Sequence, residues 1–269
     1  MASDADGDDD FGGLARDLET MSRRRVLELV TKAAAGITLA PIIGACGDNG
    51  ADVMRDANAV GDSASDQCAR IPGETPGPYP GDGTNGPNAL TIAGINRSDI
   101  RTSIGSASGT ATGIELAVTL TVVNAATCEP LVGYFVYLWH CTQAGDYSMY
   151  TGAAQSENYL RGVQATDSAG KVTFTTIFPG CYPGRWPHIH VEILSGSMTK
   201  VAVSQLALPD ATCDAVYATA GYEASATTFA QTSLANDSVF RDGSSRQVVS
   251  VTGAVGSNLA GALTIAIAV

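Results

Sequence analysis

Apolar and polar residues alternate from residue 114 onward in a pattern with a period of two. The positions that share one face of an extended segment carry Ile114, Leu116, Val118, Leu120 and Val122. Successive side chains of a β-strand point to opposite faces, so this alternation predicts a strand with one buried face. Similar strand-like runs occur at residues 134–140, 172–177, 188–194, 201–208, 247–252 and 262–269.

The runs are separated by turn-forming residues, with no long amphipathic helix between them. Asp167-Ser-Ala-Gly170 precedes one run and Gly256-Ser-Asn258 precedes the last, and Gly, Asn, Asp and Ser favour turns. One short helix is predicted at residues 214–219, with Asp210 or Thr212 as its cap. Short strands joined by turns predict an all-β protein, an antiparallel β-sandwich with short helices and long loops.

Two of the three histidines lie two residues apart in one of these predicted strands. His188, His190 and Glu192 share one face, and the apolar residues between them share the other. Because the apolar face packs into the sandwich, the imidazoles are expected to point into a cavity or towards solvent. Tyr182 and Arg185 precede the pair closely. This segment predicts half of a metal site.

The donor types indicate which ion such a site would bind. Imidazole and phenolate together favour a hard, oxidised transition metal such as Fe(III), whereas structural zinc more often recruits thiolates in paired spacings. No C-x-x-C pair is present in the chain. A second tyrosine, Tyr147, follows the Gly145-Asp146 turn after the strand-like run that begins at Val136.

At these residues the sequence resembles the intradiol ring-cleavage dioxygenases, the family of catechol and protocatechuate 3,4-dioxygenases. The resemblance covers the chain from about Cys68 to the C-terminus, and residues 68–269 are therefore taken as one dioxygenase domain. It is carried by residues 136–148 and 179–190, together with Thr75-Pro-Gly-Pro-Tyr79, Leu160-Arg-Gly-Val-Gln-Ala-Thr-Asp167 and Thr175-Thr-Ile-Phe-Pro-Gly180. Several motifs in the same order make a chance match improbable.

The resemblance implies a ligand set for non-haem Fe(III). Tyr147 matches the equatorial tyrosinate, and Tyr182 matches the axial tyrosinate that is displaced when substrate binds. His188 matches the axial histidine and His190 the equatorial one. Two tyrosinates and one hydroxide cancel the charge of Fe(III), so the site is neutral and can be buried.

The resemblance also implies three catalytic residues. Arg185 matches the family arginine beside the metal, where its cation stabilises developing negative charge. Gln205 matches the family glutamine near the substrate, and Tyr182 accepts a proton from the substrate. Tyr79 resembles the segment that borders the substrate pocket. Tyr182 lies closer to the histidines than in the better-known enzymes, and Cys181 precedes it where related exported members often carry tryptophan.

The implied activity is an oxidoreductase reaction that incorporates both atoms of O2. A catechol-type ring is cleaved between its two hydroxyl-bearing carbons to give a cis,cis-muconate-type product. The sequence does not identify the particular catechol, and it leaves open whether the chain forms a homodimer. The remaining alternatives are an exported β-sandwich binding module, a pseudoenzyme with a non-catalytic metal site, and a zinc hydrolase, for which Glu192 is the nearby carboxylate base.

The N-terminal residues predict export. Residues 1–45 contain Ser22-Arg23-Arg24-Arg25-Val26-Leu27 and then a short apolar stretch that ends before Cys46. This layout resembles a twin-arginine signal followed by a lipobox, and the apolar stretch is too short to span a membrane. An ordinary amphipathic helix is the alternative. Residues 46–67 are predicted to form a flexible tether, with a lipid on Cys46 as the one expected contact with a membrane.

Charge and cysteine content narrow the partners and the compartment. With 27 acidic and 15 basic residues the net charge is −12, which argues against nucleic acid as a partner because backbone binding depends on clustered Lys and Arg. Apart from Cys46, five cysteines remain, which allows two disulfides and fifteen connectivities. Cys181 with Cys213 is one candidate pair. Burial of all five as small apolar side chains is the alternative.

Overall fold

The structure, a computed structural model, describes residues 68–269. The predicted signal segment, the tether and Cys46 lie outside the described residues. Two four-stranded sheets have the strand orders β4-β1-β8-β7 and β3-β2-β5-β6. The strands are β1 Glu115–Asn124, β2 Phe135–Trp139, β3 Arg161–Ala165, β4 Lys171–Ile177, β5 His188–Leu194, β6 Lys200–Ala207, β7 Ser250–Thr252 and β8 Leu259–Ile267.

Short helical segments fill some of the connections. The two α-helices are α1 Asp210–Tyr217 and α2 Glu223–Phe229, and 3-10 turns lie at Ala89–Thr91, Gly152–Ala154 and Phe240–Asp242. This confirms the predicted all-β sandwich with short helices and long loops. No helix within residues 68–269 has the length and apolar character needed to cross a membrane.

The first sheet shows the alternation that the sequence predicts, with one difference in strand direction. In β1 the side chains of Leu116, Val118, Leu120 and Val122 are fully buried. This strand runs antiparallel to β4 but parallel to β8, so one pair departs from the antiparallel expectation. A parallel pair needs a long crossover connection, and β1 and β8 lie at opposite ends of the domain sequence.

The second sheet is covered on both faces, and this positions the candidate site. The inward face of β5, with Ile189, Val191 and Ile193, joins the core between the sheets. The opposite face is covered by a second cluster that includes Tyr137, Trp139 and Tyr147, with loop residues packed over it. Every residue of β5 is therefore buried. The histidine face points into the protein rather than into solvent.

Several elements differ from the sequence prediction. Strand β7 begins only at Ser250 within the predicted run 247–252, and β8 spans Leu259–Ile267 rather than 262–269. Helix α1 begins four residues earlier than predicted, after Pro209, and neither Asp210 nor Thr212 caps it because both lie inside its first turn. The strand β3 and helix α2 were missed, since Arg161-Gly-Val-Gln-Ala165 and the Ala- and Thr-rich α2 carry weak periodic signals. Tertiary contacts decide such segments.

One disulfide joins Cys68, at the start of the described chain, to Cys128 in the connection between β1 and β2. Cys141, Cys181 and Cys213 are free and buried. The candidate pair Cys181–Cys213 is therefore wrong, and both residues pack in the main core as small apolar side chains.

Candidate metal centre

Strand β5 presents His188 and His190 on one face, two residues apart. His190 pairs in register with Trp139 on β2 and with Gln205 on β6. The indole of Trp139 stacks on the His190 ring, with centroids 4.8 Å apart and an interplanar angle of 5°. The sheet and this stacking fix the direction of the His190 imidazole.

Two loops bring Tyr147 and Tyr182 to the same face. The Tyr147 backbone N–H donates to Thr151 Oγ1 at 2.8 Å, which closes the turn around the tyrosine. The neighbouring turn needs Gly145, whose φ is 90°, a region that L side chains rarely adopt. A Cβ at Gly145 would also lie only 3.1 Å from Tyr182 Cβ. Glycine therefore lets the two tyrosine loops approach each other.

The four predicted ligands converge on one point. Tyr147 Oη lies 3.1 Å from His190 Nε2, 3.4 Å from His188 Nε2 and 3.3 Å from Tyr182 Oη. His188 Nε2 lies 3.1 Å from Tyr182 Oη and 3.2 Å from His190 Nε2. These residues come from one strand and two separate loops, so their convergence is a property of the fold.

The His188 imidazole presents a lone pair to this point. His188 Nδ1 donates to the Trp186 carbonyl at 2.5 Å, so its Nε2 carries the lone pair, and a backbone acceptor of this kind fixes the tautomer of many metal-bound histidines. Burial, with the nearby cation of Arg185, lowers the pKa of His188 to about 3. Burial also lowers the pKa of His190 well below its ordinary value. Both rings are neutral near pH 7.

The phenols need a cation in order to ionise. Burial raises the pKa of Tyr147 well above its ordinary value and raises the pKa of Tyr182 to about 12. A coordinated trivalent ion offsets this by stabilising the phenolates directly. Within residues 68–269 no group of three or more His, Cys, Asp or Glu side chains could hold a metal. The four converging residues offer two phenol oxygens and two imidazole nitrogens, a donor set that suits a hard, oxidised ion better than a zinc site built from thiolates.

Arg185 and Gln205 belong to one hydrogen-bonded chain beside the four converging residues. Arg185 Nη2 donates to Gln205 Oε1 at 2.5 Å, and Gln205 Nε2 donates to the Thr75 carbonyl at 2.9 Å. Arg185 Nε also donates to Asp237 Oδ2 at 3.0 Å, where the Asp237 side chain is fully buried. The guanidinium is held on two sides.

Asp237 is a site residue that the sequence reasoning missed. Its Oδ2 also accepts the Trp186 N–H, and its Oδ1 accepts the N–H groups of Val239 and Phe240. Burial alone would raise its pKa, but these bonds and the charge of Arg185 hold the pKa below its ordinary value. Asp237 lies 52 residues after Arg185 in the sequence. No motif around it indicates that it pairs with this arginine.

A cavity of about 340 Å³ reaches Tyr147 and Tyr182, two of the four converging residues. It is lined by Pro78, Tyr79, Gly145, Tyr147, Thr151, Tyr182 and Arg185. Tyr79 thus lies where the sequence comparison predicted a pocket border, and its ring centroid is 5.0 Å from that of Tyr147. Tyr182 is half-buried on the cavity wall, whereas Tyr147 is buried.

Three other residues near the four converging side chains have structural roles. His140 bonds Thr176 Oγ1 at 2.7 Å and the Cys141 carbonyl at 2.8 Å, so it does not join the four converging residues. Arg161 is buried and donates to the Pro80 carbonyl, which anchors the loop that carries Tyr79. Cys181 packs into the main core, although Tyr182 beside it faces the cavity.

Comparison with known proteins agrees with this architecture. Residues 84–195 match a family model described as Dioxygenase, a span that includes the four converging residues and Arg185 but not Gln205. The structure is similar to an intradiol ring-cleavage dioxygenase from Tetranychus urticae, with 27% sequence identity and a TM-score of 0.61 over 75% of this chain and 95% of that one.

A second dioxygenase crystal structure has 28% identity and a TM-score of 0.58, over 75% of this chain and 95% of that chain. A search of curated proteins finds no match. The predicted resemblance to intradiol ring-cleavage dioxygenases is confirmed by the family model and these structural neighbours.

Proposed function

We propose, from this resemblance to intradiol ring-cleavage dioxygenases, that the chain is a non-haem Fe(III) enzyme that cleaves catechol-type rings between the two hydroxyl-bearing carbons. O2 is the second substrate, and a cis,cis-muconate-type compound is the product. The observation that carries the proposal is the convergence of Tyr147, Tyr182, His188 and His190 at 3.1 to 3.4 Å beside a cavity.

These four residues would hold the iron. A bound ferric ion supplies the Lewis-acid and redox chemistry through which a catecholate reacts with O2. Trp139 and the Trp186 carbonyl keep the two imidazoles in the required orientation. The buried position of Tyr147 suits a permanent ligand, because its oxygen is shielded from competing water.

Tyr182 is the candidate proton acceptor for the substrate. Its hydroxyl group belongs to the converging set, and its side chain is half-buried on the cavity wall. A catechol in the cavity would lie beside this oxygen, and the Tyr182 phenolate would be placed to take a proton from a substrate hydroxyl. Tyr147 is more deeply buried than Tyr182.

Arg185 is the candidate electrostatic catalyst. It lines the same cavity, and a fixed guanidinium stabilises negative charge that develops on the ring. Gln205 accepts a hydrogen bond from Arg185 and donates to the Thr75 carbonyl, which orients the arginine relative to the loop before Tyr79. Preorganisation of this kind lowers the cost of reorganising the site during the reaction.

The first test combines metal content, colour and product. The full chain, reconstituted with iron, is expected to hold stoichiometric iron, to show the red-purple charge-transfer band of Fe(III)-tyrosinate, and to convert catechol to muconate with both atoms of isotopically labelled O2. A colourless protein that retains stoichiometric zinc would contradict the proposal. A coloured iron protein that leaves every catechol intact would identify a pseudoenzyme.

The proposed location is outside the cytoplasm, with Cys46 as a lipid anchor. Support comes from Arg23 and Arg24 ahead of a short apolar stretch, and from the Cys68–Cys128 disulfide, because disulfides persist mainly in oxidising compartments. Replacing both arginines with lysine is expected to retain the protein inside the cell, as measured by fractionation. Export of this double variant at the wild-type level would rule out the twin-arginine route.

A further inference from the structure

The cavity wall is mainly uncharged. Among the described residues that line it, Arg185 is the one charged side chain, and the rest are Pro78, Tyr79, Gly145, Tyr147, Thr151 and Tyr182. The rings of Tyr79 and Tyr147 lie 5.0 Å apart. Aromatic and proline surfaces of this kind gain free energy when they cover apolar parts of a ligand.

Arg185 already has an ionic partner. Its guanidinium is paired with buried Asp237 at 3.0 Å and bonded to Gln205 at 2.5 Å. The Glu74 carboxyl lies within electrostatic reach of the same guanidinium and is connected to this region through Gln247, which bonds both Glu74 and the Gln205 carbonyl at 3.1 Å. The one cation of the described cavity wall therefore already has a carboxylate partner.

Two other cations near this region are engaged elsewhere. Lys200 lies between Asp82 at 3.1 Å and Glu192 at 3.0 Å. Arg161 is fully buried and donates to Ser148, Tyr137 and the Pro80 carbonyl. Neither side chain lines the cavity. In the proposed reaction, Arg185 stabilises negative charge on the reacting ring. The described cavity wall has no second cation that could form an ion pair with a negatively charged ring substituent.

We propose that the cavity selects catechols that carry a neutral, apolar ring substituent over catechols that carry a carboxylate. This inference rests on the proposed function and names its substrate class. A carboxylate moved from water to this wall loses its hydration without gaining an ionic partner. The net charge of −12 for the whole chain also disfavours the approach of anions. The volume of about 340 Å³ suits a single substituted ring.

The test is a comparison of kcat/KM among four catechols with the iron-loaded full chain. The substrates are catechol, 4-ethylcatechol, 3,4-dihydroxybenzoate and its methyl ester. The ester is the critical control because it keeps an electron-withdrawing carbonyl group on the ring but has no charge. We expect kcat/KM for the ester and for 4-ethylcatechol to exceed that for the carboxylate by about tenfold or more.

A charge inserted at the cavity rim tests the electrostatic cause. Pro78 is exposed and lines the cavity, so Pro78→Lys adds a cation there, and Pro78→Met adds an uncharged chain of comparable length. The lysine variant should raise the ratio of carboxylate to ester kcat/KM by about tenfold relative to the methionine variant. Equal ratios in the two variants overturn the electrostatic basis.

The outcomes separate the two proposals. If none of the four catechols is cleaved by iron-loaded protein, the proposed function fails and the selectivity fails with it. If all are cleaved but 3,4-dihydroxybenzoate matches or exceeds its methyl ester, the proposed function stands and the selectivity is wrong. Preference for the two neutral substituted catechols supports both.

Discussion

Replacing Tyr147 with phenylalanine is expected to abolish the tyrosinate colour contributed by this residue and to lower catechol turnover by at least about 100-fold. The change removes one oxygen, which lies 3.1 Å from His190 Nε2 and 3.3 Å from Tyr182 Oη. The ring keeps its contact with Tyr79, so the packing of the cavity wall is preserved. Iron per chain, the visible spectrum and kcat for catechol measure the effect.

Tyr134→Phe is the matched control for this variant. Tyr134 packs against the main core just before β2, away from the four converging residues. It should keep wild-type iron content, colour and turnover, because only a hydroxyl remote from the site is lost. Wild-type turnover in Tyr147→Phe would rule out Tyr147 as a required ligand. Equal losses in both variants would mean that the effect comes from folding.

Most residues of the candidate site could be predicted from the strand pattern and from short sequence motifs. The i, i+2 spacing of His188 and His190 predicts a shared face, since side chains alternate along a strand, and β5 begins and ends at the predicted residues. Tyr147 and Tyr182 lie on loops, where no periodicity predicts side-chain direction. They were assigned through family resemblance, and the structure brings their hydroxyl groups together.

Long-range features escaped the sequence for physical reasons. The parallel pairing of β1 with β8 depends on which chain ends meet in space, and local alternation does not encode strand direction. The complete burial of the histidine face depends on loops that fold over the second sheet and carry residues such as Tyr79. The alternation along β5 predicts only that the imidazoles face away from the core between the sheets. Whether that face is buried in a cavity or exposed to solvent depends on the loops that cover it.

In the proposed ligand set, one face would hold both rigid ligands and a replaceable ligand. The imidazoles are fixed by the strand, by Trp139 stacking and by the Trp186 carbonyl. Tyr182 lies on a loop at the cavity wall. The absence of a side chain at Gly145 leaves space for the Tyr182 side chain. Differences in burial thus follow the proposed division between permanent ligands and a ligand that leaves.

Asp237→Asn is expected to give the second large effect, on stability and on turnover together. Removing one member of a buried ion pair leaves the other without compensation and costs about 3 kcal/mol of the free energy of unfolding. Here Asp237 is fully buried, and its Oδ2 receives both Arg185 Nε and the Trp186 N–H. Urea unfolding measures the loss, with Asp242→Asn, an exposed neighbour, as the control.

The kinetic signature distinguishes a role in positioning Arg185 from a role in folding alone. If Asp237 acts through Arg185, then Asp237→Asn lowers kcat by about tenfold or more while iron content and colour persist at temperatures where the variant is folded. In a double-mutant cycle, Asp237→Asn should cost little further kcat once Arg185→Met is present, because residues that act as a unit are not additive. Fully additive losses would show that Asp237 affects turnover independently of Arg185. Non-additive losses would identify the connection between α2 and β7, which carries Asp237, as the element that fixes the guanidinium beside the four converging residues.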